Sequence, residues 1–336
     1  MRKLTDRLAE AEPSWFGVRD DDPTVAGELL NGVLRISPHA PATIPDDPRW
    51  DENPVGDDNW QVRYLALNWV DPLRREYLRT SDTAMLERYE FLLHDFADDN
   101  PAFEDARTDW TWFDHPTGHR ASTLAIAAGT LGLPDWLEQA MRTHADVIAR
   151  PDQYHGKGNH SLMQNSGLLS IGLVLEDKDL IDLALERSEK LLVQSIDAEG
   201  VSDEGSYSYQ WSNYRWWSEM RAKCIAGDIT LTPAWDRIEK MPAFTAHATQ
   251  PTGRATPFGD TNADAPGVRV PTKPELTTAF YGRGYLFSRS GWGTERPVEE
   301  ESMVSLRYRQ PFDEQVHGHM DAGNIEFFAY GRPLIT

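Results

Sequence analysis

The chain has one cysteine, Cys224, and no run of residues apolar enough to approach a membrane span. The first absence excludes an intrachain disulfide, so no oxidative staple contributes to this fold. Flanked by Arg221-Ala222-Lys223 and Ile225-Ala226, Cys224 carries no nucleophile signature and reads as a small buried hydrophobe. The second absence leaves no transmembrane helix. The amino-terminal MRKLTDRLAEAEPSW has a basic start without the apolar core of a signal peptide. The expectation is a soluble chain, cytoplasmic as given and secreted or periplasmic if a signal was removed. Positive charge is also scarce, 33 Lys and Arg against 54 Asp and Glu, for a net charge of -21. Such a field disfavours nucleic acid and anionic membranes as partners. It leaves room for an acidic sugar, because at physiological salt the Debye length is about 8 Å and a local pocket of Arg, His and Asn acts inside it.

Aromatic residues are plentiful, with 12 Trp and 11 Tyr among 336 residues. They suit a cleft in which sugars stack on ring faces, although most aromatic side chains serve a core. From about residue 58 to residue 245 the spacing predicts successive amphipathic helices. Ser81 and Asp82 cap one with Leu86, Tyr89, Leu93 and Phe96 on its apolar face. Pro134 and Asp135 open another, with Leu137, Ala140, Met141, His144 and Ile148 on one stripe, which makes His144 a core histidine. Residues 161–175 hold no charge at all, and Gly167, Ser170 and Gly172 let neighbouring helices come close. Buried helix followed by amphipathic helix is the pattern of an α/α toroid, although a bundle shares it.

Helical periodicity stops near residue 250, where Pro, Gly, Thr and Asp take over, and period-two alternation begins at Tyr285. The expected organisation is a helical domain over 1–250, a connecting loop over 251–284 and the start of an antiparallel sheet over 285–336. A sheet read as only begun needs a cover, so a homo-oligomer or a second chain completing it is a further expectation.

Four segments carry candidate chemistry. Asn159 and His160 precede the uncharged stretch, at a helix amino terminus where backbone N–H groups and the helix dipole favour an anion. There they either neutralise a substrate carboxylate or merely cap the helix and bond a loop. Trp110-Thr111-Trp112-Phe113-Asp114-His115 with His119-Arg120 combines stacking surfaces and cationic donors, so Trp112, His115 and Arg120 are candidate substrate contacts. The turn Glu204-Gly205-Ser206-Tyr207-Ser208-Tyr209 continues to Trp211, and adds Tyr207 and Trp211 as contacts. A phenol with a free pKa of about 10 shuttles protons near neutrality only beside a cation that lowers it. Last, His317 and His319 sit two apart on an extended segment, so both face one substrate or one metal, with Asp321 as the adjacent further ligand.

Taken in order, Trp112-Phe113-Asp114-His115, His119-Arg120-Ala121, Gly158-Asn159-His160, Glu204-x-Ser206-x-x-Tyr209, Phe258-Gly259-Asp260-Thr261, Phe287-Ser288-Arg289-Ser290-Gly291-Trp292 and His317-Gly318-His319-Met320-Asp321 resemble the heparinase II/III-like polysaccharide lyases. The resemblance covers most of the chain. It implies an incomplete α/α toroid followed by an antiparallel β-sandwich domain, and β-elimination on an acidic, uronic-acid-containing polysaccharide or oligosaccharide. It further implies that Asn159 and His160 neutralise the uronate carboxylate, that Tyr209 rather than Tyr207 shuttles protons, and that His317 is the histidine from the sheet domain. His319 matches a metal-binding histidine of some members, so a structural zinc is an expectation although no cofactor is required. Two departures stand out: Gln210 follows Tyr209 where many members have histidine, and the family's sheet domains run longer than the stretch after Gly284. Three rivals remain at this level. A glycoside hydrolase would use two of Asp109, Asp114 and Glu204. A catalytically silent glycan-binding subunit and a metal-dependent hydrolase built on His317 and His319 are the others.

Overall fold

Apolar spacing of three and four residues, punctuated by Pro, Gly and Asp, produces the helices seen in the computed structural model, which describes residues 2–267, 274–292, 296–309 and 317–335. They are α1 (Arg2–Ala11), α2 (Pro13–Phe16), α3 (Asp22–Leu30), α4 (Asp58–Leu65), α5 (Asp71–Thr80), α6 (Thr83–Asp99), α7 (Asp114–Leu131), α8 (Asp135–Ala149), α9 (Gly158–Leu175), α10 (Lys178–Ser195), α11 (Tyr207–Ala226) and α12 (Arg237–His247). Two compact units result, Met1–Ser188 with Glu219–Thr230, and Glu189–Ser218 with Leu231–Thr336. No described helix is long and apolar enough to cross a membrane.

In the first unit the caps and stripes follow the sequence closely. Asp82 accepts the Ala84 N–H at 3.1 Å and starts α6, which buries Met85, Tyr89, Leu93 and Phe96, with Met85 taking the place expected of Leu86. α8 buries Leu137, Ala140, Met141, His144 and Ile148 as predicted. His144 is satisfied on both ring nitrogens, donating from Nδ1 to the Ala140 carbonyl and accepting at Nε2 from Arg120, each at 2.7 Å. α7 and α9 lie in close contact through glycine: a Cβ at Gly118 would strike the Met163 carbonyl, and one at Gly167 would strike the Gly118 carbonyl. α9 is buried along its length from Ser161 to Val174.

The core of this unit also encloses a charge. Lys223, fully buried, donates to Ser122, Ser166 and Ser170 hydroxyls at 2.9, 2.8 and 3.0 Å and pairs with the Glu12 carboxylate at 2.5 Å. Glu12, which joins α1 to α2, is thereby tied to α7, α9 and α11.

The second unit is organised by an antiparallel sheet whose described strands lie side by side in chain order. A separate two-stranded ribbon, β1 (Val33–Leu34) with β2 (Ala42–Thr43), belongs to the first unit. The sheet strands are β3 (Thr278–Tyr281), β4 (Tyr285–Arg289), β5 (Met303–Arg307), β6 (Ile325–Ala329) and β7 (Arg332–Ile335). Register is set by alternation: Tyr285 and Phe287 on β4 face inward opposite Arg307 and Ser305 of β5. β3 falls inside 251–284, where Pro and Gly mask the short alternating run Thr278–Tyr281. The core of this unit joins Tyr281, Tyr285, Phe287, Met303 and Phe328 to Phe244 of α12, Phe258 and Tyr207.

Candidate active site

The first unit presents an imidazole and an amide at the start of α9. Gly156 and Gly158 have φ of 68° and 69°, a left-handed backbone that glycine adopts freely, and they deliver the chain into the helix. The capping contact is made by others: the Lys157 N–H donates to the Ser161 hydroxyl at 3.1 Å. Asn159 is therefore not the cap. Its part-exposed carboxamide hydrogen-bonds to no described residue, which removes the capping alternative left open by the sequence.

His160, by contrast, is held. Its Nδ1 lies 3.0 Å from Oδ1 of Asp114, the buried first residue of α7, and the same oxygen accepts the His115 backbone N–H at 2.6 Å. Burial opposes the charge on Asp114, but the bond and charge of His160, with the His115 N–H, hold its carboxyl below the usual range. Behind it the His115 ring lies 5.0 Å from that of His160, and its Nε2 is 3.2 Å from Nε2 of His119, which packs on Trp15. Burial first, then the neighbouring His160, depresses His115 to about 4, and burial carries His119 well below 6.5. Both are neutral near pH 7. Asp114 and His155 border a cleft of about 400 Å³ that also involves Phe103, Arg107, Asp109 and Phe113.

The second unit presents a phenol and an imidazole. Tyr209, in the first turn of α11, stacks on His317 with ring centroids 3.4 Å apart and planes 10° from parallel. His317 is fixed from two sides, by Asp260 Oδ2 at 3.0 Å from Nδ1 and by the buried Glu204 at 3.6 Å from Nε2. Asp260 gets there because Gly259, at φ 56°, packs against the Gly205 and His317 carbonyls where a Cβ would not fit. The Asp260 N–H then donates to the His317 carbonyl at 3.0 Å, and the Thr261 hydroxyl meets Ser206 at 2.9 Å. Gln210, the departure from the family pattern, is structural, accepting from the Ser202 N–H and donating to the Gly200 carbonyl, both at 2.8 Å.

The phenol behaves differently from the sequence expectation. Partial burial, then Glu204 and Asp260, raise the Tyr209 pKa above 10, so carboxylates rather than a cation dominate its surroundings. Its hydroxyl bonds to no described residue.

Three expected substrate contacts are instead packed inside. Arg120 is fully buried and spends its guanidinium on the Leu65 and Thr111 carbonyls and on His144, so none of it reaches a ligand. Trp112, 4% exposed, lies against His144 and donates to the Ala102 carbonyl at 3.2 Å. Tyr207, also 4% exposed, belongs to the second unit's core and bonds Thr249. His115 and Trp211 remain partly accessible, Trp211 against Tyr214. The metal expectation lacks a donor set. His319 Nε2 is 2.6 Å from Asp260, Asp321 lies beside the buried Arg307, and among the described residues no three His, Cys, Asp or Glu side chains are placed to hold an ion. The supporting carboxylates Asp114, Glu204 and Asp260 were given no such role from sequence. The signal available was their position inside the very motifs that hold the histidines.

Comparison with known proteins bears on the fold. Residues 39–180 match the model of the heparinase II/III amino-terminal domain. Among solved structures, a heparinase III superposes with a TM-score of 0.74 at 15% identity, over 94% of this chain and 58% of that one. The heparan sulfate lyase HepC of Pedobacter heparinus does so with 0.69 at 15%, over 94% and 55%. The chain thus spans little more than half the length of these structures. Among curated proteins none matches it in sequence. The fold, an incomplete α/α toroid followed by an antiparallel sheet, is the one the resemblance implies, and the family match itself spans residues 39–180.

Proposed function

We propose that the protein is a polysaccharide lyase that cleaves a uronic-acid-containing glycan by β-elimination. The observation that carries this reading is Tyr209 stacked on His317, with Asp260 behind the imidazole at 3.0 Å from Nδ1 and Glu204 3.6 Å from Nε2, too far to occupy that nitrogen with a hydrogen bond. A carboxylate behind a histidine fixes its tautomer and stabilises the cation formed when it takes a proton. His317 is therefore assigned the C5 proton of the uronate. The electron pair left at C5 forms the C4–C5 double bond, the C4–O4 bond breaks, and O4 takes the proton of Tyr209. A phenol whose pKa is raised stays protonated until that step, which favours the acid role over the base role. The two protons balance, and exchange with water resets both groups.

Abstraction from C5 is feasible only if charge growing on the uronate carboxylate is stabilised. Asn159, with its uncommitted carboxamide, and His160, held by Asp114, are assigned that task, and losing one such donor costs about 3 kcal/mol of barrier. No step is routed through a metal, since the donor set is lacking among the described residues.

The names of the structural neighbours, a heparinase and a heparan sulfate lyase, support an acidic polysaccharide as substrate. The rival hydrolase reading draws on two of Asp109, Asp114 and Glu204, of which Asp114 and Glu204 stand beside histidines as their supports. Product mass separates the two: elimination yields an unsaturated end one water lighter than the hydrolysis product, and a saturated product would remove the lyase reading.

A further inference from the structure

We propose that Asp114 is a positioning residue for His160, holding the imidazole with its proton on Nδ1 and Nε2 as the free nitrogen. The inference rests on the lyase reading for its kinetic consequence but on geometry for its substance. Asp114 is the first residue of α7, its side chain is 7% exposed, and its Oδ1 sits 3.0 Å from His160 Nδ1. An ionised carboxylate only accepts, so the ring nitrogen facing it must donate. The charge on Asp114 is favoured where it stands, because burial is outweighed by His160 and by the His115 N–H.

The neighbouring groups leave Asp114 as the partner that decides the matter. His115 is turned toward His119, and its ring contacts His160 at 5.0 Å without a hydrogen bond between them. Phe113 meets the His160 ring edge to face at 5.9 Å, which fixes the ring plane and offers no proton acceptor. His155 is 4.0 Å from the other oxygen of Asp114 and competes for it only at long range. His160 Nε2 bonds to no described residue, which is the state needed to meet a ligand.

The test uses the full chain with 15N-labelled histidine. In the wild type the His160 signal, identified by its loss in His160→Gln, is expected to show protonated Nδ1 with a downfield, slowly exchanging proton. Asp114→Ala removes the one oxygen that the His115 N–H and His160 Nδ1 share, so the Nδ1-protonated form should give way to a mixed or reversed tautomer. Product formation should fall roughly 10- to 100-fold in kcat with KM nearly unchanged, as when an orienting carboxylate is removed behind a functional histidine, and Asp114→Glu should recover part of it. An unprotonated Nδ1 in the wild type overturns the proposal without reference to any variant's folding. An unchanged tautomer in a folded Asp114→Ala does so as well. A tautomer that depends on Asp114 in a protein yielding no unsaturated product would uphold the positioning while removing the lyase reading.

Discussion

Replacing Lys223 by methionine removes the ammonium from the core of the first unit while keeping most of its volume. The Glu12 carboxylate, with its side chain 3% exposed, then stays in a dry site without its partner at 2.5 Å. Breaking a buried pair in this way costs about 3–5 kcal/mol. For a unit of roughly 200 residues each kcal/mol moves the midpoint about 2–4 °C, so thermal unfolding followed by circular dichroism should drop by about 10 °C. Glu12→Gln is the gentler change, about 1–3 kcal/mol, because the ammonium keeps the hydroxyls of Ser122, Ser166 and Ser170. The double variant, with neither charge left, should be more stable than the sum of the two losses implies. A Lys223→Met protein that melts with the wild type, or a double variant that is simply additive, would refute the reasoning.

Acid should loosen the first unit through its buried histidines. His115 is held at about 4, and His119 and His144 lie well below 6.5, chiefly through burial. Unfolded, all three bind protons near 6.5 that the folded unit refuses, so stability present above pH 6.5 is lost as pH falls toward 4, at up to about 1.4 kcal/mol per pH unit for each histidine. Urea midpoints at pH 7.5, 6 and 5 should fall steadily, and a flat series would contradict the assignment. Tyr209→Phe keeps the ring on His317 but removes the acid, so kcat should fall about 10²- to 10⁴-fold with KM little changed; wild-type turnover would exclude Tyr209 from the chemistry. Arg120→Lys should lower stability by about 2–4 kcal/mol, since lysine cannot reach three acceptors in the guanidinium's fork, and KM should not move. A KM effect in a stable variant would return Arg120 to the substrate.

Local periodicity carried the helices because it is a property of neighbouring residues. The stripe of α8 and the uncharged α9 were legible for that reason, as was room for a close neighbour at Gly167, though not that the neighbour is α7. Burial of Arg120, Trp112 and Tyr207 was not, because whether a polar or aromatic side chain faces a cleft or a core depends on partners far along the chain: Leu65 for Arg120, Thr249 for Tyr207. The same distance hid the role of Asp260, 57 residues from His317. It also hid the sign of the Tyr209 shift, which Glu204 and Asp260 set after burial. Asn159 and His160 were legible as a pair, but only the Lys157–Ser161 contact frees Asn159 from capping.

The central claim is tested most directly by ultraviolet absorbance on a panel of uronate polymers, heparin, hyaluronan, alginate and glucuronan among them, with the wild type beside Asn159→Ala and His160→Ala. The account predicts a rise from the 4,5-unsaturated product with at least one polymer, and its loss by about 10²-fold or more in either folded variant. No rise with any polymer, or a rise that both variants retain, would contradict it.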